Sequence, residues 1–465
     1  APVGVLLAAV WTAFQSCALG QTPPEPPRSG AESASEDDAV IVVAQRRQEE
    51  IGDVPIQITA FTEQEILDAG INSTQDFLDL TPNVILDDSF SYLNTFVNIR
   101  GVAQINNADS PVAVVVDGVA QNNQRQLKMS LFDIRQIEVL KGPQGALYGR
   151  NASGGAIVIS TNPPGSDYEG FASAAYASGG RVETAASVGG AIVEDRALFR
   201  LAGAYLSDDG RIDNVFLGET ADYIDHDFSI RGRLTLVPAG WLQVDARASY
   251  NEFRAGALAD SFVPSGDAGD YQAPSTNLRG KSDGEIFETS LKWDADLGFA
   301  VLTGVSGYAD LREDNVGDID FSNPVNNPAG AFGAGQLGQT SILDTQLTSQ
   351  EIRLVSPGDA PVRWIVGGYY LDTDFRAPAT LFFDLVGGLA QANDPSLVLL
   401  RQDFEEDRDT WSVFAQADVD ITSRLTAGAA LRYDEDKRVQ SDLLSDFSRS
   451  ASFDSLQPRF TLRYA

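Results

Sequence analysis

Beyond Asn162 the chain alternates apolar with polar residues in segments of roughly ten, the two-residue period of strands with one apolar face. Phe199-Leu201-Gly203-Tyr205, Leu242-Val244-Ala246-Ala248-Tyr250 and the run Val413 to Val419 show it plainly. Twelve strands are predicted, near 170–178, 181–192, 196–207, 226–236, 241–252, 284–294, 299–312, 344–356, 361–374, 409–420, 423–436 and 451–463. Their connections alternate in length. Short turns at Glu194-Asp195, 238–240, 295–298, 357–361 and 421–423 interleave with long insertions at 208–225, 253–283, 313–343, 375–408 and 437–450. Tight turns on one rim and large loops on the other belong to an antiparallel transmembrane β-barrel. A soluble sandwich or propeller does not predict loops growing on one rim only. Trp241, Trp293, Trp364 and Trp411 are placed near short-turn ends, and Tyr205, Tyr250, Tyr308 and Tyr433 near long-loop ends, as two interfacial girdles would be.

Before Asn162 the periods are mixed, and residues 48–164 read as an α+β domain. Pro55 to Thr59 alternates like a strand. Thr62 with Glu65 forms a capping box for a helix ending near Gly70, and Ser73, Thr74 and Asp76 offer caps for a second, stopped by Pro82. Val97 to Gly101 and Val112 to Val119 add strands, with Asp117-Gly118 as a turn. Ile137 to Leu140 and Ala156 to Ile159 are two more, joined by a connection carrying Gly142-Pro143, Gly145, Gly149 and Gly154-Gly155, with Leu147-Tyr148 as its apolar anchor.

The N-terminal segments have other textures. Residues 1–20 are apolar from Val3 to Val10 and small toward Gly20, an export signal that lacks its initiator Met and basic start. Residues 21–47 form a tether whose Pro, Glu, Ser and Ala tract cannot bury enough surface to order itself. At its end stands Asp38-Ala39-Val40-Ile41-Val42-Val43-Ala44. This is either the first edge strand of the next domain or an extended handle that adds to another protein's sheet edge.

Ile137 to Thr161 reads IEVLKGPQGALYGRNASGGAIVIST, and it resembles the end of the plug domain of TonB-dependent outer-membrane receptors. Ile137-Glu138-Val139, Lys141-Gly142-Pro143, Gly145, Leu147-Tyr148-Gly149 and Asn151 to Gly155 stand in register with that family's pattern. Ile99-Arg100-Gly101 and Val116-Asp117-Gly118-Val119 are similar to two further plug motifs. The resemblance implies that Asp38 to Ala44 is a TonB box, and that Arg100 and Arg150 hold the plug by pairing with barrel glutamates, of which Glu351 is the chosen partner. It implies uptake of a scarce, bulky substrate across the bacterial outer membrane, a ferric siderophore or similar iron chelate, driven by TonB. A carbohydrate, cobalamin or other organic nutrient is the alternative cargo, and a passive structural or adhesin barrel the alternative of another class. Polar loops at 91–94 and 102–110 supply ligand-apex candidates: Tyr92, Asn94, Gln104, Asn106 and Asn107.

Composition narrows the chemistry. With 66 acidic against 33 basic residues the net charge is −33, which disfavours nucleic acid as a partner. One Cys, one His and one Met leave no thiolate or imidazole metal set, so no resident cofactor is expected and any iron should arrive already chelated. No Gly-x-Ser-x-Gly elbow or Walker loop suggests an enzyme. No stretch after residue 20 is apolar over the roughly 20 residues of a spanning helix, so residence in lipid as a monomeric barrel depends on closure. A barrel able to hold a folded plug needs about 22 strands. The chain is therefore expected to be truncated, with about half of them present.

Overall fold

The computed structural model describes residues 40–464 apart from 44–45, 48, 90, 105–108, 258–260, 262–271, 331–332, 334, 386 and 388. The expected export signal, most of the tether, and Asp38, Ala39, Ala44, Asn106 and Asn107 lie outside the described residues.

The N-terminal domain runs β1 (Ile41–Val42), β2 (Glu49–Glu50), β3 (Gln57–Thr62), α1 (Glu63–Asp68), α2 (Thr74–Asp79), β4 (Val84–Asp88), β5 (Thr95–Ile99), β6 (Val112–Val116), β7 (Val119–Gln121), β8 (Ile134–Lys141), α3 (Gly145–Tyr148) and β9 (Gly155–Thr161). Both expected capping boxes form. The Glu65 carboxylate accepts from the Thr62 amide at 2.8 Å and that of Asp76 from the Ser73 amide at 2.8 Å, fixing where α1 and α2 begin. The central sheet has the order β3-β8-β9-β6-β7, antiparallel except for β6 beside β9. β9 is covered on both sides, which is why Ala156 to Ile159 is an unbroken apolar run, whereas the equally covered end of β8 buries Glu138 and Lys141 beside Val139 and Leu140. Phe77, Leu78, Ile137, Val139, Ile157 and Ile159 fill the core on the helix side; Leu140, Ala156 and Val158 pack with Val42 on the other. Sequence patterning misses β2, β4 and the single turn α3: β2 and α3 are too short to display a period, and β4, Val84-Ile85-Leu86-Asp87-Asp88, does not alternate.

Chain order then gives β10 (Glu169–Ala177), β11 (Arg181–Val193), β12 (Ala197–Asp208), the small loop hairpin β13 (Asp213–Asn214) and β14 (Glu219–Thr220), β15 (Ile224–Ala239), β16 (Leu242–Ala255), β17 (Lys281–Asp296), β18 (Val301–Asp318), β19 (Leu337–Val355), β20 (Val362–Phe383), β21 (Val398–Thr422), β22 (Leu425–Asp442) and β23 (Ser448–Tyr464). Apart from the hairpin these make one 12-stranded sheet in which each strand pairs antiparallel with its neighbour in sequence, open between β10 and β23. All twelve predicted segments are strands. They run further on the long-loop side, and β21 reaches 25 residues. Within its extension, Glu405 to Arg408 is polar on both faces yet still pairs with β20 and β22, so the apolar period stops before the ladder does.

That extension corrects one girdle assignment. Trp411 is paired with Tyr370 and its ring lies 5.5 Å from that of Tyr433, so it belongs to the long-loop row and not the short-turn row. Along the strands Phe287, Leu291, Ile352, Val366 and Leu431 are exposed on the face turned away from the N-terminal domain. Arg200, Asp245, Arg353 and Arg432 alternate with such residues and are buried on the other, against or toward the N-terminal domain.

Candidate functional site: a charged seam and a cavity above it

The chain enters through a small hairpin. β1 pairs with β2, Ile41 opposite Glu50 and Val42 opposite Glu49, and the Val42 side chain is fully buried. Val40 to Val43 are thus folded against the domain. The Val43 amide donates to Glu138 Oε1 at 2.9 Å. Burial pushes the Glu138 carboxyl up to about 7, only partly offset by that bond. Its second oxygen has no hydrogen-bond partner among the described residues. Within the hairpin connection, Arg46 donates to both oxygens of Glu351 at 2.7 and 3.0 Å, with its guanidinium 5.3 Å from the Tyr148 ring centre. Arg47 pairs with Asp418 and, at 3.2 Å, with Glu49.

Arg100, Arg150 and Glu351 do not come together. Glu351 is occupied by Arg46 and Arg353. Arg100 closes β5 in a left-handed turn at φ 53°, which aims its side chain along β3, where it bonds Gln57. Arg150 does reach the sheet, but at Asp436 Oδ2, 2.7 Å away, and Thr410 Oγ1, 3.4 Å away. Around the seam Asp133 takes Arg200, Arg125 donates to Glu313 at 2.7 Å, and Asp117 takes Arg247 while accepting from the Thr161 amide at 2.8 Å. Two glycines let surfaces close: a Cβ at Gly155 would stand 2.3 Å from the Leu140 carbonyl oxygen, and one at Gly149 2.5 Å from Arg432.

Above the seam lies a cavity of about 710 Å³ whose sheet-side lining comes from the long-loop halves of β18 to β22, with Phe375, Phe404 and Arg408 among it. Asn94, Asp109, Arg125 and Arg150 line it from the domain. Asn94 accepts from Gln124 at 2.7 Å, and Gln104 donates to the same Gln124. Tyr92 is turned away from the cavity: its ring packs on Phe253 with centres 5.1 Å apart and its hydroxyl donates to Asp227 at 2.8 Å. Of the described apex candidates only Asn94 lines the cavity.

Residues 50–156 match the family described as TonB-dependent Receptor Plug Domain, and residues 263–465 match the TonB dependent receptor-like β-barrel. This chain belongs to the TonB-dependent receptors. Its N-terminal domain is the plug and its large sheet a part of the barrel wall. The pesticin receptor of Yersinia pestis is 32% identical over 117 residues, 25% of this chain and 17% of that protein. Catecholate siderophore receptor Fiu of Escherichia coli is 28% identical over 117 residues, 25% of this chain and 15% of that one. Among solved structures the ferric yersiniabactin uptake receptor FyuA of Yersinia pestis superposes with TM-score 0.72 at 20% identity, over 88% of this chain and 61% of that one. The ferric citrate transporter FecA superposes with TM-score 0.70 at 14% identity, over 92% and 63%. The chain spans about three fifths of these receptors' length.

The seam residues that sequence patterning missed carried a usable signal. Arg200, Arg247, Arg353, Arg408, Arg432 and Arg438 sit at positions where the two-residue period points inward, as their full or partial burial confirms. A charge at an inward position of a plugged barrel needs a partner on the plug or wall.

Proposed function

We propose that this chain is the plug and adjoining wall of an outer-membrane importer of a ferric siderophore or similar iron chelate, energised by TonB acting on residues 38–44. The observation that carries the reading is polarity. The N-terminal segment is tied down by Arg46 and Arg47 to Glu351 and Asp418, near the short-turn ends of β19 and β21, whereas the arginine-bearing cavity opens among their long-loop halves. A ligand site and a pull site on opposite faces of one plug permit reciprocal linkage: occupancy of one biases exposure of the other. The relatives' names, pesticin receptor and catecholate siderophore receptor, support the iron-chelate class of cargo. The exposed apolar rows of the wall suit lipid. On this reading a partner strand adds to β1 after it leaves the plug, and main-chain hydrogen bonds transmit the pull.

The test is uptake by cells carrying the intact receptor, with and without residues 38–44, on a panel of radiolabelled iron chelates, cobalamin and sugars. The expected result is that an iron chelate still binds the deletion variant but is no longer taken up. Uptake that survives the deletion, or cargo found only among the sugars or cobalamin, would overturn the reading.

A further inference from the structure

The cavity contains a carboxylate already. Asp109 Oδ1 accepts from Arg408 Nη1 at 2.8 Å, Oδ2 accepts from Arg438 Nη2 at 2.6 Å, and Arg150 Nη1 stands 4.0 Å from Oδ2. Arg408 and Arg438 are directly opposite each other on β21 and β22, so their side chains leave the wall side by side. Asp109 alone among the acids here comes from the plug. Asp436, which accepts from Arg150 at 2.7 Å and Arg438 at 2.8 Å, and Glu406, which accepts from Arg408, ride on the wall strands themselves. Three guanidinium groups thus face three carboxylates. A further anion entering this balanced set would leave an excess negative charge, whereas one that replaces Asp109 leaves the sum unchanged.

We infer that Asp109 is a built-in stand-in for the cargo: the chelate this receptor takes carries a free carboxylate, and that group exchanges with Asp109 on the three arginines. The inference rests on the import reading above and narrows its substrate to the carboxylate class. Asp109, Arg150 and Arg408 all line the cavity, and the Asp109 side chain keeps 27% of its exposure, so a solute there can compete for its partners. Two arginines gripping the two oxygens of one group fit a planar carboxylate better than charge spread over an iron core. Burial pushes Asp109 up, but the arginines outweigh it and bring the acid to about 2, so the site favours an ionised carboxylate and a competitor must itself be an anion. Exchange would free the plug segment ahead of β6 from the wall, which is how occupancy of the cavity would be felt inside the plug.

The experiment is hydrogen exchange of residues 109–116 in the intact receptor in outer-membrane vesicles, in millimolar citrate against chloride of equal ionic strength. Binding of radiolabelled ferric citrate is measured beside that of ferrioxamine B, which has no free carboxylate. Citrate should accelerate exchange about tenfold, within the ordinary range of site-to-site coupling. Asp109→Asn should exchange fast without citrate and bind ferric citrate more tightly; Arg408→Gln with Arg438→Gln should abolish both responses. Exchange unchanged by citrate, or weaker ferric citrate binding by Asp109→Asn, overturns the inference. If citrate releases Asp109 but neither iron chelate binds, the anion site stands and the iron reading falls.

Discussion

Glu138 makes the docking of the N-terminal segment sensitive to pH. Its carboxyl is 1% exposed and receives one hydrogen bond, from the Val43 amide. Lifting β1 off the plug readmits water to it. The displacement from the ordinary 4.5 to about 7 corresponds to about 3 kcal/mol against the ionised form in the docked state. Because the docked value is the higher one, docking is fully favoured below about pH 4.5 and loses that contribution as pH rises through about 7. Glu138→Gln keeps an acceptor for Val43 and removes the charge. The assay is hydrogen exchange of the Val43 amide in the intact receptor between pH 5.5 and 8.5, corrected for intrinsic rate. The wild type should lose about 2 kcal/mol of protection across that range, roughly thirtyfold in opening, because part of the full contribution is already gone at pH 5.5, while the Gln variant stays flat. A wild-type profile already flat, or a variant as steep as the wild type, would refute the reasoning.

Two other substitutions test the seam and the plug core. Arg46→Ala should loosen the segment by about 2 kcal/mol, less than a lone buried pair because Arg353 still neutralises Glu351, and a spin label in the segment should report the added mobility. Gly155→Ala places a methyl 2.3 Å from the Leu140 carbonyl oxygen, so β8 and β9 must separate; a loss of more than about 2 kcal/mol in denaturant midpoint is expected, with the barrel transition unmoved.

The features legible along the chain are those that depend on near neighbours. The capping boxes at Thr62 and Ser73 close within three residues, and both helices begin where predicted. The twelve wall strands show themselves by a two-residue period, and their count and order hold even where their outer ends run on through polar sequence. The glycine-rich connection after β8 is legible as a plug motif, although the turn of helix within it is too short to show.

The charge partners are decided elsewhere. Arg46 meets Glu351 across 305 positions, and Arg150 meets Asp436 across 286, because the curvature of the wall and the seating of the plug choose which inward residue faces which plug edge. Arg100, by contrast, is turned toward Gln57 by a local left-handed residue and never reaches the wall. Residue order alone is enough to specify the elements and the faces they present, since those follow from residues a few positions apart. Which charges meet is settled in three dimensions, since an ion pair depends on distances that the packing of one domain inside the other creates.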